Sequence, residues 1–247
     1  ADWLAERFAS QSEAADVKAV RFNQQILEGG RLSPEELDER VRAVFRNSAR
    51  GVAEVLYYQY RPAALLRRVD ANEAMQEYIR LTQEQKHSVI FACPHTGNYD
   101  LAGRALGLLG LRALVLAEPT PRADYNYQNR LRRQTGLTIR TISMESLRAA
   151  AGFLEDGGSV LTGVDWPVAE ARYRPRFCGK PSFLPTAHVR LAVKVQAPVI
   201  VVACQRRADG RYFINSSEPI PMQVGQSMPE TILSNTEKVL EAVEQFI

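Results

Sequence analysis

The 247 residues carry 45% hydrophobic and 24% charged side chains, an ordinary globular balance that excludes collagen-like, low-complexity and disordered chains. Lys and Arg (31) exceed Asp and Glu (28) by only three, too little for nucleic-acid binding through overall charge, so any basic partner site has to be local. The length lies within reach of one α/β domain.

The cysteines Cys93, Cys178 and Cys204 are odd in number and far apart, which suits neither a disulfide framework nor a zinc site and points to a reducing compartment. No window reaches the ~18 to 20 apolar residues of a membrane span. The nearest is broken by Arg190, Lys194, Gln196 and Pro198. The opening Ala-Asp-Trp lacks the basic and apolar runs of a signal peptide. The expectation is a soluble or membrane-peripheral chain.

Residues 1–86 read as a helical N-terminal part. Ser33-Pro34-Glu35-Glu36 combines an N-cap serine, proline at the first helical position and a capping-box glutamate. The helix it starts is expected to run to about Tyr58, with Leu37, Val41, Val44, Phe45, Ala49, Val52 and Leu56 along one buried stripe. Near residue 87 the pattern changes to short apolar runs alternating with amphipathic segments. Strands are expected at 89–93, 113–116, 138–142, 159–164, 198–203 and 212–215. Helices are expected at 99–109, 123–134, 146–155, 186–195 and from Pro229, capped by Ser227. The predicted fold class is α/β, a mainly parallel central sheet flanked by helices, in a single domain over 1–247 with its core at 87–247. Ligands of such sheets gather beyond the carboxyl ends of the strands, which singles out the polar residues there.

After the first of these strands comes Pro94-His95-Thr96-Gly97-Asn98-Tyr99-Asp100. The spacing lets Asp100 fold back and accept a hydrogen bond from one imidazole nitrogen of His95, leaving the other as a base. Gly97 permits close approach or positive φ, and N–H groups around it and Asn98 offer an oxyanion site. The alternative is a histidine closing a strand and an aspartate stabilising a helix start. A second cluster, Arg122, Arg130, Arg132, Arg133 and Arg140, faces one nearby acid, Asp124. Tyr125, Gln128, Asn129 and Arg132 share a helix face that suits a pocket, and guanidinium suits phosphate, although a solvated basic face is the competing reading. Asp165 closes the fourth strand, as a site acid or as a turn residue. Beyond it Arg172, Arg174 and Arg176 alternate with Tyr173, Pro175 and Phe177, so an extended segment puts the three arginines on one face, for phosphate or for solvent. Cys93, two residues before His95, offers a rival Cys-His hydrolase. A noncatalytic lipid-binding module is the other rival.

His95-x4-Asp100, with Gly97 and Asn98 inside it, resembles the signature block of the lysophospholipid acyltransferase superfamily, in the branch of the lipid A biosynthesis (lauroyl/myristoyl) acyltransferases and phosphatidylinositol mannoside acyltransferases. Arg21-Phe22-Asn23-Gln24, Val44 to Asn47, Arg132 to Gly136, Gly157 to Asp165 and Ala192 to Pro198 follow in the order of that family. The resemblance implies fatty acyl transfer from a thioester, on acyl-CoA or acyl carrier protein, to a hydroxyl of a glycolipid or phospholipid-like acceptor. It implies no metal and no further cofactor. His95 would be the general base and Asp100 its orienting acid. Arg132, four residues before Gly136, would hold an anionic part of a substrate, flanked by Arg130 and Arg133. Asp165 would line the site. Members mostly carry an apolar anchor before the first helix and a Pro-Glu-Gln-Trp-like stretch after the last, and some have a glutamate after the Asp165 position, where this chain is arginine-rich with Glu170 as its acid. The implied place is the cytoplasmic face of the inner membrane. Peripheral attachment is expected through Trp3, Leu4 and Phe8 and the arginines Arg67, Arg68, Arg122 and Arg172. Oligomeric state is left open.

Overall fold

The structure, a computed structural model, describes residues 2–84, 87–118, 123–169 and 171–247. Two compact units divide at residue 61.

The first unit, Ala1–Arg61, holds α1 (Asp2–Ala9), α2 (Ala15–Leu27) and α3 (Pro34–Tyr58). The capping box forms as expected: Ser33 Oγ accepts from the Glu36 N–H at 3.2 Å, and the Glu36 carboxylate accepts from the Ser33 N–H at 2.9 Å. Phe8 stacks on Phe45 and Arg46 bonds Glu6, which ties α1 to α3. The predicted stripe holds only in part. Val41 is buried, but further along Val55 and Tyr58 take the inner side, while Val52 and Leu56 are 57% and 50% exposed. A straight α-helix drifts against a fixed three-and-four spacing, and 25 residues are long enough for the stripe to rotate out of contact.

The second unit, Pro62–Ile247, opens with α4 (Pro62–Leu66), β1 (Val69–Ala71) and α5 (Glu73–Glu84), so it begins well before the change of pattern at residue 87. There follow β2 (Val89–Cys93), α6 (Tyr99–Leu108), β3 (Leu114–Ala117), α7 (Ala123–Arg133), β4 (Thr138–Thr141), α8 (Met144–Glu155) and β5 (Ser159–Gly163). The chain ends with β6 (Arg176–Phe177), β7 (Lys180–Pro181), α9 (Ala187–Val195), β8 (Val199–Arg206), β9 (Tyr212–Ser216) and α10 (Met228–Glu244). Seven strands form one sheet in the order β1-β9-β8-β2-β5-β3-β4, with β6 and β7 a separate hairpin. The five strands from β8 to β4 run parallel, and β9 reverses against β8. The six predicted strands are all present. β1 was not expected; three residues between helices carry too little periodicity to register as a strand, and pairing with β9 creates it.

One face of the sheet packs against α8, α9 and α10 through Ile90, Ala92, Val160, Val199 and Val201 under Ala150, Leu154, Val189, Ala192, Ile232 and Val239. Strands buried on both faces read as continuous apolar runs, and β2, Val-Ile-Phe-Ala-Cys, is one. The return from β4 places β5 between β2 and β3, so the carboxyl ends of β2 and β5 meet at a reversal of strand order, where α/β sheets bind ligands.

Candidate active site

In the register of β2 and β5, Cys93 lies opposite Gly163. Two residues beyond each, His95 and Asp165 therefore leave the sheet side by side. The His95 backbone N–H donates to Asp165 Oδ2 at 2.8 Å, and His95 Nδ1 lies 2.6 Å from Asp165 Oδ1. A carboxylate only accepts, so Nδ1 carries the proton and Nε2 of the neutral ring keeps its lone pair. The imidazole meets Tyr99 edge-on at 4.7 Å between centroids and Trp166 at 5.8 Å, and its side chain stays 33% exposed. The fold thus builds a histidine locked on one side and open to a substrate on the other.

Asp100 does not take the place expected for it. It sits in the first turn of α6, nearly buried, and its Oδ1 accepts from the guanidinium of Arg132 on α7. Arg132 donates also to Asn129 Oδ1 at 2.8 Å. The physical reason is geometric. In the first turn of α6 the Asp100 carboxylate meets Arg132 of α7, whereas Asp165, two residues beyond the end of β5, leaves the sheet beside His95. Arg132 is accordingly braced from both sides, by Asp100 on α6 and by Asn129, which shares with it the polar face predicted for α7. Arg130 and Arg133 lie outside this arrangement. Both are exposed, and Arg130 rests over the Tyr127 ring. Arg122 and Glu170, and the side chains of Leu4, Asp124 and Tyr125, lie outside the described residues.

The loop between β2 and α6 is shaped by two residues. Asn98 caps α6, its Oδ1 accepting from the Leu101 N–H at 3.2 Å. Gly97 has φ +59°, and a Cβ there would overlap the carbonyl oxygen of Cys204 on β8. Gly163 was not singled out by sequence reasoning. A Cβ on it would lie 2.8 Å from His95 Cε1 and 3.4 Å from Nε2, so the absence of a side chain on β5 is what lets the ring lie where it does. Only the pairing of β2 with β5 reveals this, because nothing local in Thr162-Gly163-Val164 points to a histidine 68 residues earlier.

Cys93 fits poorly as a nucleophile. Desolvation, with the Asp165 carboxylate adding to it, pushes its thiol up to about 12, and thiolate is the reactive form. No described helix is long and apolar enough to cross a membrane.

A search of curated proteins returned no match. A family model described as "bacterial lipid A biosynthesis acyltransferase" matches residues 6–247, almost the whole chain.

Proposed function

The chain belongs to the bacterial lipid A biosynthesis acyltransferase family, and from that premise we propose that it moves a fatty acyl group from a thioester to a hydroxyl of a lipid or glycolipid acceptor, with His95 as general base. The observation that carries this reading is the Asp165-anchored imidazole with its second nitrogen unblocked. Nε2 takes the proton of the acceptor hydroxyl as its oxygen attacks the thioester carbonyl. Asp165 stabilises the imidazolium, and the tetrahedral oxyanion collapses to expel the thiolate, which recovers the proton from Nε2. One ester forms, one thioester breaks, and the step balances without a metal or a redox group. Base catalysis of this kind contributes ~10²- to 10⁴-fold, and the remaining acceleration is assigned to positioning and to N–H groups of the loop at Gly97 and Asn98.

Asp100 enters this reading as a positioning residue. It braces Arg132, whose fork is assigned to an anionic group of donor or acceptor, while Arg130 and Arg133 add long-range positive charge. The donor is acyl-CoA or acyl carrier protein, and the enzyme works peripherally at the cytoplasmic face of the inner membrane. Mass spectrometry of products from both donors against a panel of lipid acceptors tests the reading. An acyl ester that forms with wild type and not with His95→Ala supports it, and free fatty acid as the sole product instead marks a hydrolase.

A further inference from the structure

Between β5 and α9, residues 164–169 and 171–186 form a strap that starts beside His95. Its inner side is anchored. Tyr173 and Phe177 pack on the core, Pro175 and Leu184 are buried, and α10 accepts two backbone N–H bonds, Arg176 to Glu237 at 2.9 Å and Cys178 to Glu244 at 2.6 Å. The outer side combines two features that are seldom left together on a soluble surface. Trp166, Phe183 and Val168 are 56%, 43% and 37% exposed, and the strap is pinned to itself there by the Val168 N–H on the Phe183 carbonyl at 2.8 Å. Interleaved with them, Arg172, Arg174, Arg176 and Lys180 are exposed, with the Arg174 guanidinium 4.2 Å from the Phe183 ring centre. Over residues 166–183 these four cations face one acid in the sequence, Glu170. Two of the acids on the helix beneath, Glu237 and Glu244, each commit an oxygen to the strap's backbone.

We infer that the outer face of this strap is the surface that meets an anionic lipid bilayer, with Trp166, Val168 and Phe183 entering the interface and Arg172, Arg174, Arg176 and Lys180 against the headgroups. Exposed apolar side chains ringed by cations match a surface that is apolar below and negative above. An acidic carrier protein would satisfy the charges but has no comparable use for the three apolar side chains. Because Trp166 touches the His95 ring, the docked strap brings the general base to the depth at which an acceptor headgroup lies. The inference rests on the lipid acceptor proposed above.

The chain has two tryptophans, Trp3 and Trp166, so Trp3→Phe leaves Trp166 as a local reporter in the otherwise intact protein. With mixed phosphatidylcholine/phosphatidylglycerol vesicles its emission shifts to the blue and is quenched by brominated acyl chains. Phosphatidylcholine alone gives neither, and added salt weakens the effect. The triple variant Arg172→Gln, Arg174→Gln, Lys180→Gln lowers the partition coefficient about a hundredfold, each charge near the surface being worth about fivefold. Vesicle binding that leaves Trp166 emission unmoved, or that the triple variant retains in full, overturns the assignment in favour of another surface. A Trp166 shift produced by soluble acyl carrier protein and not by vesicles makes the strap a carrier dock. Transfer to detergent-dispersed acceptor is measured alongside. If it persists in the triple variant while vesicle binding is lost, the surface assignment stands; if wild type gives no transfer at all, it is the enzymatic reading that fails.

Discussion

One carboxylate, that of Asp165, receives both the main-chain N–H and the Nδ1–H of His95, at 2.8 and 2.6 Å. The two bonds fix the ring and the strand end together, so the orientation of the imidazole depends on Asp165 and not on the aspartate five residues along. His95→Ala is expected to lower transfer by ~10²- to 10⁴-fold with folding intact. Asp165→Asn is expected to lower kcat far more than it alters KM, since an amide can present a donor to Nδ1 and favour the wrong tautomer. Cys93→Ser should keep near wild-type rates. Steady-state kinetics on the three proteins decides the matter, and a lethal Cys93→Ser would reverse the assignment.

Asp100 and Arg132 form a nearly buried ion pair, each side chain 12% exposed. Removing one partner strands the other charge, so Arg132→Ala or Asp100→Ala should destabilise the fold by about 2–4 kcal/mol, and the double variant by less than the sum. Denaturant unfolding of the four proteins measures the coupling. Arg132→Lys should rescue poorly, because an ammonium cannot hold Asp100 and Asn129 as a planar fork does. A larger kinetic effect of Asp100→Asn than of Asp165→Asn would return Asp100 to the role of orienting acid.

Gly97 and Gly163 are predicted to fail in different ways. At Gly97 both the positive φ and the overlap with the Cys204 carbonyl are backbone problems, so alanine there should cost about 1–3 kcal/mol of stability as well as activity. Alanine at Gly163 meets only the imidazole. It should leave the melting temperature nearly unchanged while displacing the ring of the proposed base, and a shift of the order of an ångström can cost ~10²-fold in rate. Melting curves and kcat measured together separate the two.

His188, in the first turn of α9, is 1% exposed, and neither ring nitrogen has a hydrogen-bond partner. Burial pulls its pKa down from 6.5 to about 4. The unfolded chain therefore binds a proton that the folded one refuses, and stability, complete above 6.5, falls as pH drops from 6.5 towards 4. The loss is on the order of 3 kcal/mol from this group. His188→Leu should flatten that part of the stability–pH curve. An unchanged slope in chemical unfolding across this range would mean that other groups govern the acid limb.

What the sequence determined alone is whatever local chemistry encodes. The capping box at Ser33, the six strands read from apolar runs such as Val89 to Cys93, and the strap's alternation of exposed Arg172, Arg174 and Arg176 with less exposed neighbours all follow from periodicity over a few residues, and the structure reproduces each. His95, Gly97 and Arg132 were legible as residues of interest for the same reason. Tertiary structure decided their partners. Which carboxylate reaches His95 depends on β5 lying beside β2 with Gly163 opposite Cys93, and which reaches Arg132 depends on α6 packing against α7. Strand order and helix packing are set by the burial of whole faces, with no trace at the position of any single residue. A spacing of five could thus suggest a His95–Asp100 pair, while a partner 70 residues away formed it.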